Sequence, residues 1–314
     1  MKIYTAPLEG ITGHVFRTAL HHHFAGADKY FIPFIKPNQN GHFSAREKQD
    51  ILPEHNKDMY AVPQILTNGT QDFLRTAWKL EQYGYQEINL NLGCPSKTVI
   101  SKKRGSGFLA YPEELEAFLD EIFEECKLQI SIKTRIGRDE PDEFMRLLEI
   151  YNKYPIKELI IHPRVQKDFY KNHPNLTVFS EALKASRNPV CYNGDIFSVE
   201  EYKRFTKAFP EVDCIMIGRG LLKNPGLIQE IKERKAINKE SLRAFHDELY
   251  VGYQNVLSGD KTILFKMKEL WSFLAPIFTD YEKYAKKIKK CEKLYKYDEV
   301  IEKLFAEQDL VCNR

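Results

Sequence analysis

Long apolar runs are missing from this sequence: none approaches the roughly 20 residues that a membrane-spanning helix needs. The mean hydropathy of −0.47 likewise excludes a membrane bundle. The opening MKIYTAPLEG meets a proline and a glutamate at once, where a signal peptide would carry its apolar core. Cysteine is scarce, with six at positions 94, 126, 191, 214, 291 and 312, and no two have CxxC spacing. A chain of 314 residues needs no stapling, so reduced thiols in a cytoplasmic protein are expected, with no metal site. Charge of one sign is also lacking. Lys and Arg number 47 against 44 Asp and Glu, so any attraction to a polyanion must be local. No GxGxxG follows the first strand-like run, which counts against an open dinucleotide-binding sheet. Internal repeats and low-complexity tracts are absent too.

What is present is an alternation. Short apolar runs read as strands: KIYTAPL, KYFIPFI, YAVPQIL, EINLNLG, QISIKTRIG, ELIIHPR, PVCYNGD and DCIMIGRG. Between them lie segments with helical apolar spacing, such as QDFLRTAWKLEQYG, PEELEAFLDEIFEEC, PDEFMRLLEIYNKY and SVEEYKRFTKAF. Pro112, Pro141 and Ser198 stand at their starts as first-turn or capping residues. Strictly alternating strands and helices imply a parallel sheet, and eight units over residues 1–239 fit a (β/α)8 TIM barrel. From about residue 240 to 314 the pattern is helical and highly charged, which predicts a smaller all-helical C-terminal domain, with Trp271, Phe273, Leu274 and Tyr281 as candidate core.

In such a barrel the chemistry sits at the C-terminal ends of the strands. Those ends are polar here. They carry Pro7-Leu8-Glu9, Gln64, Asn89, Asn91, Cys94, Lys133, Arg135, His162, Arg164, Asn193-Gly194-Asp195 and Gly218-Arg219. Singly, an Asn or Gln at a strand end is a turn former and a lone His is structural. Together on one rim they make a site. The glycine-containing loops after the last two strands suit a phosphate, to which Arg219 adds a charge pair. A terminal phosphate there fits FMN, and Lys133, costly inside an apolar strand, gains an anionic flavin as partner. Cys94 lies between Gly93 and Pro95, outside any apolar run, so its thiol should project into the barrel mouth. No second cysteine has ligand spacing, which leaves nucleophile or acid. Cys126, Cys191 and Cys214 read as inert core thiols. The segment Lys102 to Gly107 reads either as a solvated turn or as a mobile lid. His21, His22 and His23 point in different directions on a helix and read as surface.

These motifs resemble the dihydrouridine synthase family of tRNA-modifying flavoenzymes, bacterial type. The resemblance runs from APLEG through GCPSK, SIKTRIG, IIHPR, YNGD and MIGRG into the helical C-terminus. It implies a barrel holding FMN, followed by a helical tRNA-binding domain, and reduction of the C5–C6 double bond of particular tRNA uridines with NADPH (or NADH) as reductant. Matched motif by motif, Pro7, Leu8 and Glu9 would line the flavin. Gln64, Lys133 and His162 would contact its rings, while Asn193, Gly194, Asp195, Gly218 and Arg219 would hold its tail. Cys94 matches the catalytic proton donor, and Asn91, Arg135 and Arg164 match positions facing the uridine or its RNA. The usual methionine of the first motif is Leu8, and the carboxylate many relatives carry near the end of the second strand is absent from FIPFIKP. Residues 283–296, KYAKKIKKCEKLYK, hold seven lysines against one glutamate. Lys286, Lys287, Lys289 and Lys290, with Lys266 and Lys268, are therefore the candidate tRNA contacts. A monomer with no obligate protein partner is expected. Two other readings compete: an FMN barrel acting on a free pyrimidine or enone, and an RNA-binding protein on a decayed barrel that holds no flavin.

Overall fold

The structure is a computed structural model that describes residues 1–38 and 40–311. Cys312, expected as a reduced thiol, lies outside the described residues. Eight parallel strands close into a barrel in sequence order. They are β1 (Lys2–Thr5), β2 (Lys29–Ile35), β3 (Ala61–Ile65), β4 (Glu87–Leu92), β5 (Gln129–Arg135), β6 (Leu159–His162), β7 (Val190–Tyr192) and β8 (Cys214–Ile217). Each lies within one of the predicted runs, so the TIM barrel expected from the alternation is the fold. Tyr4, Ala6, Phe31, Val62, Ile160, Cys191, Cys214 and Met216 pack into one buried cluster inside it.

The helices follow their local chemistry. Helix Pro112–Glu125 has its proline in the first turn, where the missing N–H costs nothing. Ser198 caps helix Val199–Ala208 by accepting from the Glu201 N–H at 3.2 Å. The helix expected from Pro141 instead begins at Glu143. The Glu143 carboxylate turns back to accept from the N–H groups of Arg138, Asp139 and Glu140 at 2.8, 2.9 and 2.8 Å, which holds the preceding residues in a turn.

Two compact units emerge. One comprises Met1–Pro7, Asp28–Asp195 and Pro210–Met216, and the other Leu8–Ala27, Ile196–Phe209 and Ile217–Arg314. In the second, helix His14–His23 packs on helix Lys239–Val256. Phe245 meets Phe16 and Phe24 edge-on at 5.9 and 5.6 Å. A Cβ at Gly252 would come within 2.7 Å of Val15, so glycine sets how closely these helices approach. His22 and His23 both reach Glu248 at 2.8 Å, and no group among the described residues could hold a metal ion. Helices Asp260–Leu274, Glu282–Lys290 and Leu294–Glu307 complete the C-terminal stretch. There Trp271, 1% exposed, donates to the Tyr297 hydroxyl at 2.7 Å. The other tryptophan, Trp78, belongs to the first unit and is 60% exposed. No helix among the described residues is long and apolar enough to cross a membrane.

The N-terminal ends of the strands carry a buried ionic knot. Lys29 Nζ lies 2.8 Å from Glu87 Oε2 and 2.6 Å from Glu158 Oε2. Tyr4 donates to the other Glu158 oxygen, and Tyr60 donates to Glu87 at 3.2 Å. Burial lowers the lysine's pKa, but the Glu87 charge and the two carboxylate bonds outweigh it, so the net shift is upward. Its stabilising share is therefore complete below the unfolded lysine pKa and is lost as pH rises through the raised value in the folded state. Lys29→Met leaves two carboxylates buried without their cation. We expect a loss of about 3–5 kcal/mol in denaturant unfolding at neutral pH, and a smaller difference from wild type in strong alkali.

Candidate functional site

The stretch expected to carry the chemistry is held by a side-chain amide. Asn91, next to last in β4, accepts through Oδ1 from the backbone N–H of Gly93 at 3.1 Å and of Cys94 at 2.9 Å. This is the turn an asparagine forms with its own backbone. On the other side, the Cys94 carbonyl accepts from the Ser106 N–H at 3.1 Å and hydroxyl at 2.9 Å. A Cβ on Gly105, at φ +57°, would stand 2.8 Å from that carbonyl oxygen, so only glycine allows this contact. The thiol side of Cys94 packs against Phe34, Leu66 and Val99. The segment read as a possible lid thus divides. Lys102 and Lys103 are exposed, whereas Gly105 to Leu109 are buried and bonded to the cysteine loop. Cys191 and Cys214 belong to the barrel core and Cys126 is half-buried, its thiol pKa raised by burial.

Two buried arginines brace the neighbouring loops. Arg135 donates from Nε to the Gly93 carbonyl at 3.0 Å, and from its two terminal nitrogens to Val165 and Phe169 at 2.9 and 2.8 Å. Arg164 grips Asp195 with both terminal nitrogens at 3.1 and 2.5 Å, and its Nε donates to the Asn172 carbonyl at 2.5 Å. The resemblance assigns both to the substrate, and in the fold most of their donors also bind the protein. Gln64 and Asn91, fully buried or nearly so, also bond to each other at 2.6 Å. No strand-2 residue supplies the carboxylate that FIPFIKP lacks, but Glu47 brings one to the end of β2, where it accepts from the Lys36 N–H at 2.8 Å and the Ser44 hydroxyl at 2.7 Å.

Lys133 differs from these. It is half-buried, and among the described residues it has neither an ion pair nor a hydrogen bond. Burial first, then the Arg135 charge, lowers its pKa to about 8. An unpaired ammonium in this position is the feature that suits an anionic cofactor. At the end of β7, the Asn193 amide donates to the Met216 carbonyl at 2.9 Å, and a Cβ on Gly194 would overlap the Tyr192 hydroxyl.

In the second unit, Leu8 starts a tight turn closed on Thr12 by bonds of 2.8 and 3.0 Å, and Glu9 is exposed beside it. Lys266 donates to the Gly10 carbonyl of the same turn at 2.5 Å, and Lys268 is half-buried. Gly218 precedes helix Arg219–Lys223, with the Arg219 guanidinium over the Phe197 ring at 5.3 Å. Lys286, Lys287, Lys289 and Lys290 are all exposed on the helix whose buried face is Tyr284 and Ile288. None of the four has an ion-pair partner among the described residues. Sequence reasoning counted Asn89 among the polar strand ends without giving it a role of its own, and passed over Ser131 and Ser106. The signal available was spacing: Asn89 and Ser131 lie two residues before Asn91 and Lys133, on the same face of their strands.

The protonation of His162 follows from its partners. Its Nδ1 lies 2.6 Å from the Asn193 carbonyl, which can only accept, so Nδ1 carries the proton. Its Nε2 faces an Arg164 nitrogen at 3.3 Å, which can only donate, so Nε2 is bare. Burial, then the charges of Arg135 and Lys133, hold its pKa well below the usual histidine range. A group depressed in this way costs stability as pH falls below the unfolded histidine value of about 6.5. Nitrogen-15 NMR of labelled histidine should show His162 as the neutral Nδ1–H tautomer down to about pH 6, well after an exposed histidine has begun to charge. A cationic His162 at that pH would refute the assignment.

The family model of dihydrouridine synthase (Dus) matches residues 4–311. Among curated relatives, tRNA-dihydrouridine synthase B of Pasteurella multocida (strain Pm70) is 29% identical over 245 residues, 77% of this chain and 71% of that one. The protein of the same name from Vibrio parahaemolyticus serotype O3:K6 is 27% identical over 284 residues, covering 85% and 87%. Among solved structures, histamine dehydrogenase from Rhizobium sp. 4-9 superposes with a TM-score of 0.58 at 11% identity, over 79% of this chain and 49% of that one. A mutant of morphinone reductase, in complex with tetrahydroNAD, gives 0.52 at 11% identity, over 78% and 90%. The structures share the fold alone, while the sequence match continues through the C-terminal helices, and on that match the chain belongs to the dihydrouridine synthase family.

Proposed function

We propose that this protein reduces the C5–C6 double bond of particular uridines in tRNA to give 5,6-dihydrouridine, with FMN as cofactor and NADPH (or NADH) as reductant. The observation that carries the reading is a half-buried Lys133 with no ion pair or hydrogen bond among the described residues, in the same barrel as a cysteine whose backbone is bonded on both sides. The names of the curated relatives point to the same substrate.

When bound, FMN would supply the hydride chemistry that links the nicotinamide reductant to uracil C6. Gln64, Lys133 and His162 would face its rings, and the Lys133 ammonium would gain the anionic partner it lacks. Pro7, Leu8 and Glu9 are assigned to the flavin, and Asn193, Gly194, Gly218 and Arg219 to its tail, by motif. Asp195 is assigned to the tail by the same motif, and its carboxylate, paired with Arg164, holds that loop. Hydride addition at C6 leaves an enolate that needs a proton at C5. The Cys94 thiol gives that proton, and solvent returns one to the thiolate. Asn91, Arg135 and Arg164 contribute by fixing the loops around the base. A uridine must leave its stack to enter a barrel mouth, so RNA affinity must come from elsewhere on the protein. Residues 240–314, with Lys266, Lys268 and the four exposed lysines, supply it. The enzyme acts in the cytoplasm as a monomer.

The test separates the half-reactions. The wild-type protein should purify yellow with one FMN. Cys94→Ala should keep its FMN, accept electrons from NADPH and bind tRNA. Reoxidation of the reduced enzyme by unmodified tRNA, followed at the flavin absorbance, should fall about 10²–10⁴-fold, the usual worth of a general acid. Wild-type reoxidation in that variant would remove Cys94 from the mechanism. A protein that cannot be loaded with FMN would overturn the reading as a whole.

The lysines make a second prediction. Replacing Lys286, Lys287, Lys289 and Lys290 with Gln should weaken tRNA binding and flatten its dependence on salt, because fewer counterions are released. FMN content should not change. Equal affinity at every ionic strength in gel shifts would reduce the run to a solvated helix face.

A further inference from the structure

The bond between Asn91 and Gln64 is one link of a longer chain. The Gly93 and Cys94 N–H groups donate to Asn91 Oδ1, and Asn91 Nδ2 donates to Gln64 Oε1 at 2.6 Å. Gln64 Nε2 donates to Asn89 Oδ1 at 2.7 Å, and Asn89 Nδ2 donates to the Ser131 hydroxyl at 2.9 Å. That hydroxyl ends on the Ile88 carbonyl at 3.4 Å. Every donor points the same way, because the chain begins at backbone N–H groups and ends at a backbone carbonyl. Each amide has one oxygen and one nitrogen, so no internal member can flip without setting two donors or two acceptors face to face. Gln64, Asn89 and Ser131 are 0% exposed, so water cannot stand in for a missing link.

Strand register builds this row. Gln64 lies beside Asn89, and Asn89 beside Ser131, in adjacent parallel strands. The row therefore reaches from β5 through β4 and β3 and back to the cysteine turn at the end of β4. Hydrogen bonds aligned in series polarise one another, and in a dry interior each depends on its neighbours.

We propose that Asn89 and Ser131 are positioning residues for Cys94: they orient the Asn91 carboxamide through Gln64, and that carboxamide sets the turn that aims the thiol. The reactive role of the thiol rests on the function proposed above. The positioning itself does not, and it can be read without flavin or RNA. Ser131 is the informative member because its hydroxyl bonds Asn89 and the Ile88 carbonyl, and among the described residues it makes no hydrogen bond to Cys94 or Asn91. Removing its hydroxyl leaves the Asn89 nitrogen without its acceptor, and the row can then relax at its far end.

The experiment compares Ser131→Thr with Ser131→Val, which have nearly the same shape and differ in the hydroxyl. Ser131→Ala serves as a third variant if the added methyl groups disturb the barrel. The first readout is the rate at which iodoacetamide alkylates Cys94, followed by mass spectrometry of its peptide with the Cys126 peptide as internal control. The Thr variant should match wild type. The Val and Ala variants should alkylate faster by about twofold to tenfold, the weight of one neutral hydrogen bond, as the turn loosens and the half-buried thiol is uncovered. Cys126 should not change. The second readout is dihydrouridine formation, in which kcat should fall in the Val and Ala variants and recover in Thr, with KM for tRNA unchanged. A general loss of packing would change the Thr variant as well. Equal alkylation of Cys94 in all variants overturns the proposal. If Cys94→Ala forms dihydrouridine at the wild-type rate, the reading of the thiol fails, yet an alkylation difference among the Ser131 variants would still establish the positioning.

Discussion

Inside a closed barrel, every second residue of a strand points into a space without water, so an inward polar group must find a partner within the protein. That constraint organises this molecule. At the N-terminal ends of the strands it is met by charge, with Lys29 set between Glu87 and Glu158. Toward the opposite rim it is met by neutral amides and a hydroxyl, from Gln64 to Ser131. A neutral row avoids the desolvation that buried ions suffer, and its fixed polarity leaves each member a single orientation. Lys133 breaks the pattern as an inward cation with no partner among the described residues, and the break falls where the chemistry is proposed. Local disagreement with an otherwise consistent core is a mark of function.

Much of this was legible from the order of residues. Eight apolar runs, each followed by helical spacing, left one reasonable closure, and the period of two placed the polar residues of each strand on one face. The motif at Gly93-Cys94-Pro95 announced a shaped turn. The share each side chain takes in that turn was not legible. Asn91 and Arg135 look like groups waiting for a ligand, and only the fold shows that they also shape the loops around them. The difference depends on contacts far apart in sequence, such as Arg135 with Gly93 or Arg164 with Asp195, which no local pattern encodes. Pro141 misled for a related reason. A proline often opens a helix, but the Glu143 carboxylate gathers three preceding N–H groups and delays the start.

The arginines illustrate a wider point about loops on a barrel rim. Each guanidinium offers several donors in one rigid plane, and loop carbonyls that face away from any sheet need donors. Arg135 collects three such carbonyls from two loops, and Arg164 joins a carboxylate, a carbonyl and an imidazole. Irregular backbone is thereby tied down by side-chain donors, which is what a site assembled on loops requires.

The two tryptophans give the molecule an optical property that follows from where they fall. Trp78 lies in the first compact unit, largely open to solvent, and Trp271 lies in the second, sealed beside Tyr297. One emitter is already in water and its spectrum has little room to shift to the red. The other begins blue and must move on exposure. A red shift during denaturation therefore comes mainly from Trp271 and reports the melting of the second unit.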